Sequence, residues 1–235
     1  KVILLAALNG AQMSPKILPY LPVTPAEVAE QAHECYKAGA SVAHIHARDA
    51  KTRKVSTDIK IFNEMVKRIR ERCGVLIQVT GAMGSWLDPA TNQWVRPSDE
   101  QRMTLLDIDP KPDMMPTAIS TRDFGGVPTS FVNTPDYLKK VIPRIIEKKF
   151  GWEMEISDVR SLYKALWLAE QGAFDKNMPV LLNYVMGITR GNQPAIPRQL
   201  LYVSEEGKHL FPQAKWEVTI SDDTHWGMII LAISL

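Results

Sequence analysis

Seven apolar runs of strand length, each followed by a stretch of helical periodicity, constrain the fold of this chain more than any other feature of its sequence. The first run, residues 2–8, leads to a helix opened by Thr24-Pro25-Ala26-Glu27. Threonine is the cap there, proline occupies the first turn and glutamate completes a capping box. Val28, Ala32, Cys35 and Tyr36 share one face of that helix and predict its buried side, and Gly39 ends it. Further strands are expected at 41–47, 75–79, 114–119, 153–156, 180–185 and 216–220. Helices are expected at 58–73, 98–106, 137–148, 161–171 and 197–210, with a strongly apolar one from 225. Phe62, Val66, Ile69 and Cys73 lie in phase on the second helix. Strands alternating with helices pair in parallel through right-handed crossovers, and seven units come closer to a TIM (β/α)8 barrel than to a doubly wound sheet. The expectation is one α/β TIM-barrel domain over residues 1–235, lacking the eighth strand and C-terminal part. A barrel open at that seam exposes unpaired backbone and apolar core, so an incomplete copy of a longer protein, less stable than a complete barrel, is expected.

Active sites of such barrels gather at the carboxyl ends of the strands. Those ends carry Asn9 and Gln12; His44, His46, Arg48 and Asp49; Gln78 and Thr80; Thr117, Ser120 and Thr121; Glu153 and Glu155; Asn183 and Tyr184; and Ser221, Asp222 and Asp223. The pair His44 and His46 stands out, because period-two spacing aims both imidazoles from one strand face, with Val42 and Arg48. That is metal-ligand geometry, although two such histidines can also be core residues satisfied by hydrogen bonds. A catalytic zinc takes three protein ligands plus water, so a third ligand has to come from elsewhere. Glu155 sits on an otherwise apolar strand and calls for a cation, either a metal or a pairing partner such as Arg48 or a lysine. Arg48 or Asp49 would orient a histidine, or form a plain loop salt bridge. Residues 221–224 read as a helix cap, and His225 receives no metal role. The long connection 81–97 suggests a lid or an insertion.

Composition narrows the class. A hydrophobic content of 45% over 235 residues can fill a sizeable core. The formal charge of +2 is spread without a basic block, so nucleic acid is not implied, while a small anionic substrate is compatible. No apolar run approaches a membrane span and none follows a basic leader, which leads to the expectation of a soluble cytoplasmic protein without a membrane partner. Cys35 and Cys73 read as reduced core thiols. Neither a Gly-x-Gly-x-x-Gly fingerprint after a strand nor a P-loop occurs, so nucleotide cofactors are not indicated. The last helix is apolar all round, which implies burial against further chain or a neighbouring subunit, and a homo-oligomer is expected.

Three stretches together resemble the β-keto acid cleavage enzymes. They are residues 4–11 (Leu-Leu-Ala-Ala-Leu-Asn-Gly-Ala), the Thr24 to Glu27 helix start, and residues 35–49, which end in His-Ile-His-Ala-Arg-Asp. The likeness continues through 77–80, 153–155, 183–187 and 194–197. It implies a zinc-dependent TIM barrel that condenses a β-keto acid with acetyl-CoA, as co-substrate, to give acetoacetate and a new acyl-CoA. On that resemblance His44 and His46 are zinc ligands and Thr80 is a small hydroxyl residue contacting substrate. Asn9, Gln12, Thr117 and Asn183 are candidate substrate contacts, and Arg48, Asp49 and Glu155 are candidate catalytic residues. The family's third zinc ligand and its base stand in an Arg-x-Gly-x-Glu-Asp pattern on the eighth strand, which does not occur before Leu235. A chain ending at Leu235 is therefore expected to form no acetoacetate. Gln12 replaces an acid, and Gly81-Ala-Met-Gly84 replaces a glycine pair, so the substrate differs or stays open. Two other readings are a metal-dependent hydrolase, in which such pairs usually sit on the first strand, and a non-catalytic remnant that at most binds ligand.

Overall fold

The structure is a computed structural model that describes residues 2–11, 18–81, 86–87, 94–123, 130–187, 193–221 and 225–235. Parallel strands alternate with helices and the strands neighbour one another in chain order. That singly wound order belongs to (β/α)8 barrels; a doubly wound sheet would reverse it. The fold is α/β of TIM-barrel type, with seven parallel strands among the described residues.

The chain divides into two compact units. The first spans residues 1–86 and 96–115 and holds β1 (Leu5–Ala7), β2 (Val42–Ile45), β3 (Leu76–Val79) and helices α1 (Pro25–Lys37), α2 (Ile59–Arg72) and α3 (Asp99–Met103). β1 pairs with β2 and β2 with β3, with His44 opposite both Ala7 and Gln78. Strand β4 (Met114–Ala118) starts here, where Met114 pairs with Gln78. Helix α1 forms where its signals lie. Thr24 Oγ1 accepts from Glu27 N at 3.2 Å and the Glu27 carboxylate accepts from Thr24 N at 2.8 Å, so two of the helix's orphan donors are satisfied reciprocally. Asp58 caps α2, and Ser98 with Gln101 makes a second capping box before α3. The core of this unit is Val28, Ala32, Ala43, Ile45, Phe62, Met65, Val66, Ile69 and Ile77, all at most 1% exposed.

The second unit spans residues 87–95 and 116–235 and contains the rest of β4, β5 (Gly151–Ile156), β6 (Leu181–Met186) and β7 (Lys215–Ile220). Its helices are α4 (Pro135–Glu147), α5 (Val159–Glu170), α6 (Pro197–Leu210) and α7 (His225–Ser234). Asn183 stands opposite Glu155 on one side and Glu217 on the other, so the three side chains share one sheet face. Gly172, with φ +79°, closes α5 in the left-handed region that glycine enters without a Cβ penalty.

Several expectations are corrected. Strand β1 is three residues long, and Val2, Ile3 and Leu4 are about half exposed or more. Tyr36 is 45% exposed, and Cys35 and Cys73 are free but only half-buried, because α1 buries Val28, Ala29 and Ala32 instead. Cys73 is the residue after α2, beyond the helical phase that places Ile69 in the core. The 81–97 connection holds a two-stranded pair, Trp86–Leu87 with Trp94–Val95, and the lid expectation falls on residues 82–85 and 88–93, which lie outside the described residues. Arg122–Asp123 and Ser130–Phe131 form an antiparallel pair that periodicity did not reveal. The apolar surface that leads to the expectation of a covering neighbour is present on α7, where Met228 is buried while Trp226, Ile230 and Ile233 stand 70%, 64% and 54% exposed. No helix among the described residues is long and apolar enough to cross a membrane.

Candidate metal centre and polar strand ends

The period-two histidines converge where β2 stops. Nε2 of His44 lies 3.0 Å from Nε2 of His46, and the rings meet edge to face at 5.0 Å between centroids. Two nitrogens on one tetrahedral zinc, each about 2.0–2.1 Å from it, are about 3.3 Å apart. The pair is therefore nearly in chelating position, and the residues fit a divalent ion. Burial, followed by the positive fields of His44 and Arg48, holds His46 well below the ordinary imidazole range. His46 is thus neutral at pH 7 with a lone pair to offer. Among the described residues, no group of three or more His, Cys, Asp or Glu side chains is arranged to hold a metal.

Neighbouring strands build this corner. Beyond Ile45 the backbone ladder ends, and the Asn9 side chain takes it over: Oδ1 accepts from His46 N at 2.9 Å and Nδ2 donates to His46 O at 2.9 Å and Pro22 O at 3.3 Å. Asn9 is 1% exposed and spends its amide on backbone groups. On the other flank, Gln78 Oε1 lies 2.5 Å from His44 Nδ1. Thr80, 5% exposed, follows on β3 with its N–H on Ile45 O at 3.1 Å.

Arg48 is 2% exposed and donates to Gly10 O at 2.6 Å, Asn9 O at 3.2 Å and Arg53 O at 2.9 Å. It ties the end of β1 to the turn after β2. The histidine-orienting role considered for Asp49 is corrected: its Oδ1 accepts from Thr52 N at 2.7 Å and Lys51 N at 3.1 Å. Those bonds, that of Thr52 first, lower its pKa, so the carboxylate organises a turn. Gln78 makes the histidine contact instead. Gln12 and residues 222–224 lie outside the described residues.

The second unit carries its own polar cluster. Glu155 pairs with Arg122 at 2.6 Å, not with Arg48 or a lysine, because the short antiparallel strand at 122–123 delivers that guanidinium. Asn183 Nδ2 donates to Glu153 Oε1 at 2.8 Å. Thr117 Oγ1 accepts the Trp152 indole N–H at 3.3 Å. Glu153, 1% exposed, is raised well above the carboxylate range by burial, then by the charges of Glu217 and Glu155, and its protonated carboxyl donates a hydrogen bond to the Glu217 carboxylate. Glu217 escaped the reading of strand ends because it lies mid-strand; its signal was inward alternation with Trp216 and Val218 on the opposite phase.

Fold and geometry together define a TIM-barrel-type chain in which the Nε2 atoms of two histidines converge at a strand end. The family model of the beta-keto acid cleavage enzymes matches residues 1–235, and the chain belongs to that family. It is 28% identical to the 3-keto-5-aminohexanoate cleavage enzyme of Fusobacterium nucleatum, over 97% of this chain and 81% of that one. It is 30% identical to the enzyme of the same name from Acetoanaerobium sticklandii, over 91% and 77%. The 3-dehydrocarnitine:acetyl-CoA trimethylamine transferase of Rhizobium meliloti is 28% identical over 81% of this chain and 66% of its own length. Among solved structures, ObcA in binary complex with oxaloacetate matches with a TM-score of 0.75 at 18% identity, covering 92% of this chain, a likeness of fold. The chain spans 55% of that structure's length.

Proposed function

We propose that the protein carrying this chain is a zinc-dependent β-keto acid cleavage enzyme. It condenses a β-keto acid with acetyl-CoA and releases acetoacetate and a new acyl-CoA. The observation that carries this reading is the convergence of the His44 and His46 Nε2 atoms at 3.0 Å in a chain of this family. Relatives named as acetyl-CoA transferases support acetyl-CoA as the co-substrate.

His44 and His46 would hold the ion, which when bound supplies Lewis acidity to an anionic β-keto substrate. Asn9 and Arg48 hold the ends of β1 and β2 in register around that pair, so we assign them positioning through the backbone rather than substrate contact. Thr80, beside β2 at its last paired residue, is proposed to present its hydroxyl to substrate. On the family resemblance, Glu155 is proposed as a catalytic group held in place by its ion pair with Arg122, with Thr117 and Asn183 as polar substrate contacts.

The carbon balance gives the test. The α-carbon of the β-keto acid loses a proton to a base, the resulting enolate forms a bond to the acetyl carbonyl and CoA leaves as thiolate. CoA then attacks the original ketone, the bond to the α-carbon breaks, and that carbon takes a proton to become acetoacetate. With acetyl-labelled acetyl-CoA, acetoacetate labelled only in its acetyl half is expected. About one zinc per chain, lost in the His44→Ala/His46→Ala double variant, is expected alongside. Undiminished turnover by the metal-free double variant, or label in the acyl-CoA product, would refute the proposal.

A further inference from the structure

We propose that Gln78 is a positioning residue that locks His44 in its Nδ1–H tautomer and so keeps Nε2 bare for a metal; this rests on the two-histidine reading above. Gln78 stands directly across the parallel β2–β3 pair from His44 and is 2% exposed. Its Oε1 lies 2.5 Å from His44 Nδ1. An amide oxygen only accepts, so Nδ1 carries the hydrogen; a neutral imidazole has a single N–H, and Nε2 keeps its lone pair. The opposite tautomer, which free imidazole prefers, would point a hydrogen at His46 Nε2, 3.0 Å away, and occupy the place of the ion.

The two histidines then differ in kind. With no metal bound, the bare His44 Nε2 accepts a hydrogen bond from His46 Nε2–H. An ion takes the place of that hydrogen, and His46 carries its proton at Nδ1. That buried nitrogen has no hydrogen-bond partner among the described residues. His44 is therefore fixed and His46 is free to switch, without a net change in protonation. A neutral amide in this role also leaves more of the ion's charge available than a carboxylate would, since an anionic partner makes an imidazole ligand more basic.

The test uses the metal-free chain at pH 8, with long-range proton–nitrogen correlation of the His44 ring and zinc affinity measured by competition with a chromophoric chelator. Wild type is expected to show the Nδ1–H form. Gln78→Leu should revert toward Nε2–H and bind zinc about 10–100-fold more weakly. Gln78→Glu should restore both the Nδ1–H form and an affinity at or above that of wild type. An Nε2–H signal in wild type, or zinc binding by Gln78→Leu equal to wild type, overturns the proposal. Equal losses in the leucine and glutamate variants overturn it too, since they would report packing alone. A wild-type chain that holds the Nδ1–H form yet binds no zinc refutes the metal reading and leaves the tautomer assignment standing, so the two failures are separable.

Discussion

Asn9→Ala removes the clamp on His46 and measures how much of the site's stability rests on side chains where the ladder stops. The amide makes both backbone hydrogen bonds of His46, each at 2.9 Å, and a weaker one to Pro22 O at 3.3 Å. Asn9 is 1% and His46 8% exposed, so water does not readily replace the lost partners. Each buried backbone group left unpaired costs about 1–3 kcal/mol, and two of them cost about 2–6 kcal/mol. Relief of side-chain entropy is small beside this, so about 3 kcal/mol is the central expectation. For a chain of this length each kcal/mol moves Tm by about 2–4 °C, giving a fall of about 6–12 °C by calorimetry. Asn9→Asp, which keeps an acceptor for His46 N–H but points a carboxylate at carbonyl oxygens, should do no better than alanine. Zinc affinity should fall in both variants, because one ligand loses its backbone anchor. A melting temperature for Asn9→Ala within about 2 °C of wild type would refute the argument, since it would mean that the two bonds contribute almost nothing net.

Two further outcomes test the second unit. Burial holds Glu153 protonated above the pH at which an unfolded glutamate ionises. The folded state therefore binds more protons, and this group's contribution is present below about pH 4.5 and lost as pH rises through its raised folded value. Glu153→Gln mimics the protonated acid, keeps an acceptor for Asn183 and offers a donor to Glu217; it should raise Tm at pH 7–8 and leave it unchanged near pH 4, and equal Tm values at pH 8 would count against a protonated Glu153. Gly207 on α6 lies against Tyr184, where an added Cβ would overlap the tyrosine Oη and come within 3.2 Å of Leu182 Cδ1. Gly207→Ala should therefore cost about 1–3 kcal/mol of overpacking, less about 1 kcal/mol of helix propensity. In a Tyr184→Phe background, which also removes a buried hydroxyl without a hydrogen-bond partner among the described residues, the same substitution should become neutral or stabilising by chemical denaturation. An equal cost in both backgrounds would show that Tyr184 is not the obstacle.

Local signals were legible and cross-strand ones were not. Thr24 and Glu27 sit three residues apart and bond as their spacing foretold, and His44 and His46 converge because strand alternation is set by the backbone alone. The partner of Glu155 was misjudged because Arg122 arrives from an antiparallel pair too short for any periodicity. Asp49 was misjudged for the opposite reason: the backbone N–H groups of Lys51 and Thr52, two and three residues on, are nearer partners than any histidine. Cys35 and Tyr36 fell outside the core because α1 buries a narrower stripe, Val28, Ala29 and Ala32, than its apolar face allows. Gln78 could be placed at a strand end but not opposite His44, since that pairing depends on register between strands 34 residues apart.

That register explains why the site stands where it does. The ladder from β2 runs to Ala7 on one side and Val79 on the other, and ends at Ile45. A strand end leaves backbone groups without partners, and burying them uncompensated is costly. Here polar side chains from both neighbours take over, Asn9 for the His46 backbone and Gln78 for the His44 ring, and Arg48 returns the favour to the carbonyls of Asn9 and Gly10. The Asn9 and Arg48 bonds join the end of β1 to the segment after β2 and the Gln78 bond joins β3 to β2, so losing any one loosens the histidine pair without dissolving the apolar core beneath it. The core residues Ile45, Ile77 and Val79 are fully buried and do not touch this exchange. Stability and site geometry are therefore separable here. Gln78→Leu should lower zinc affinity far more than it lowers Tm, whereas Asn9→Ala should lower both, and reversal of that order would mean that the ring contact, rather than the backbone clamp, holds β2 in place.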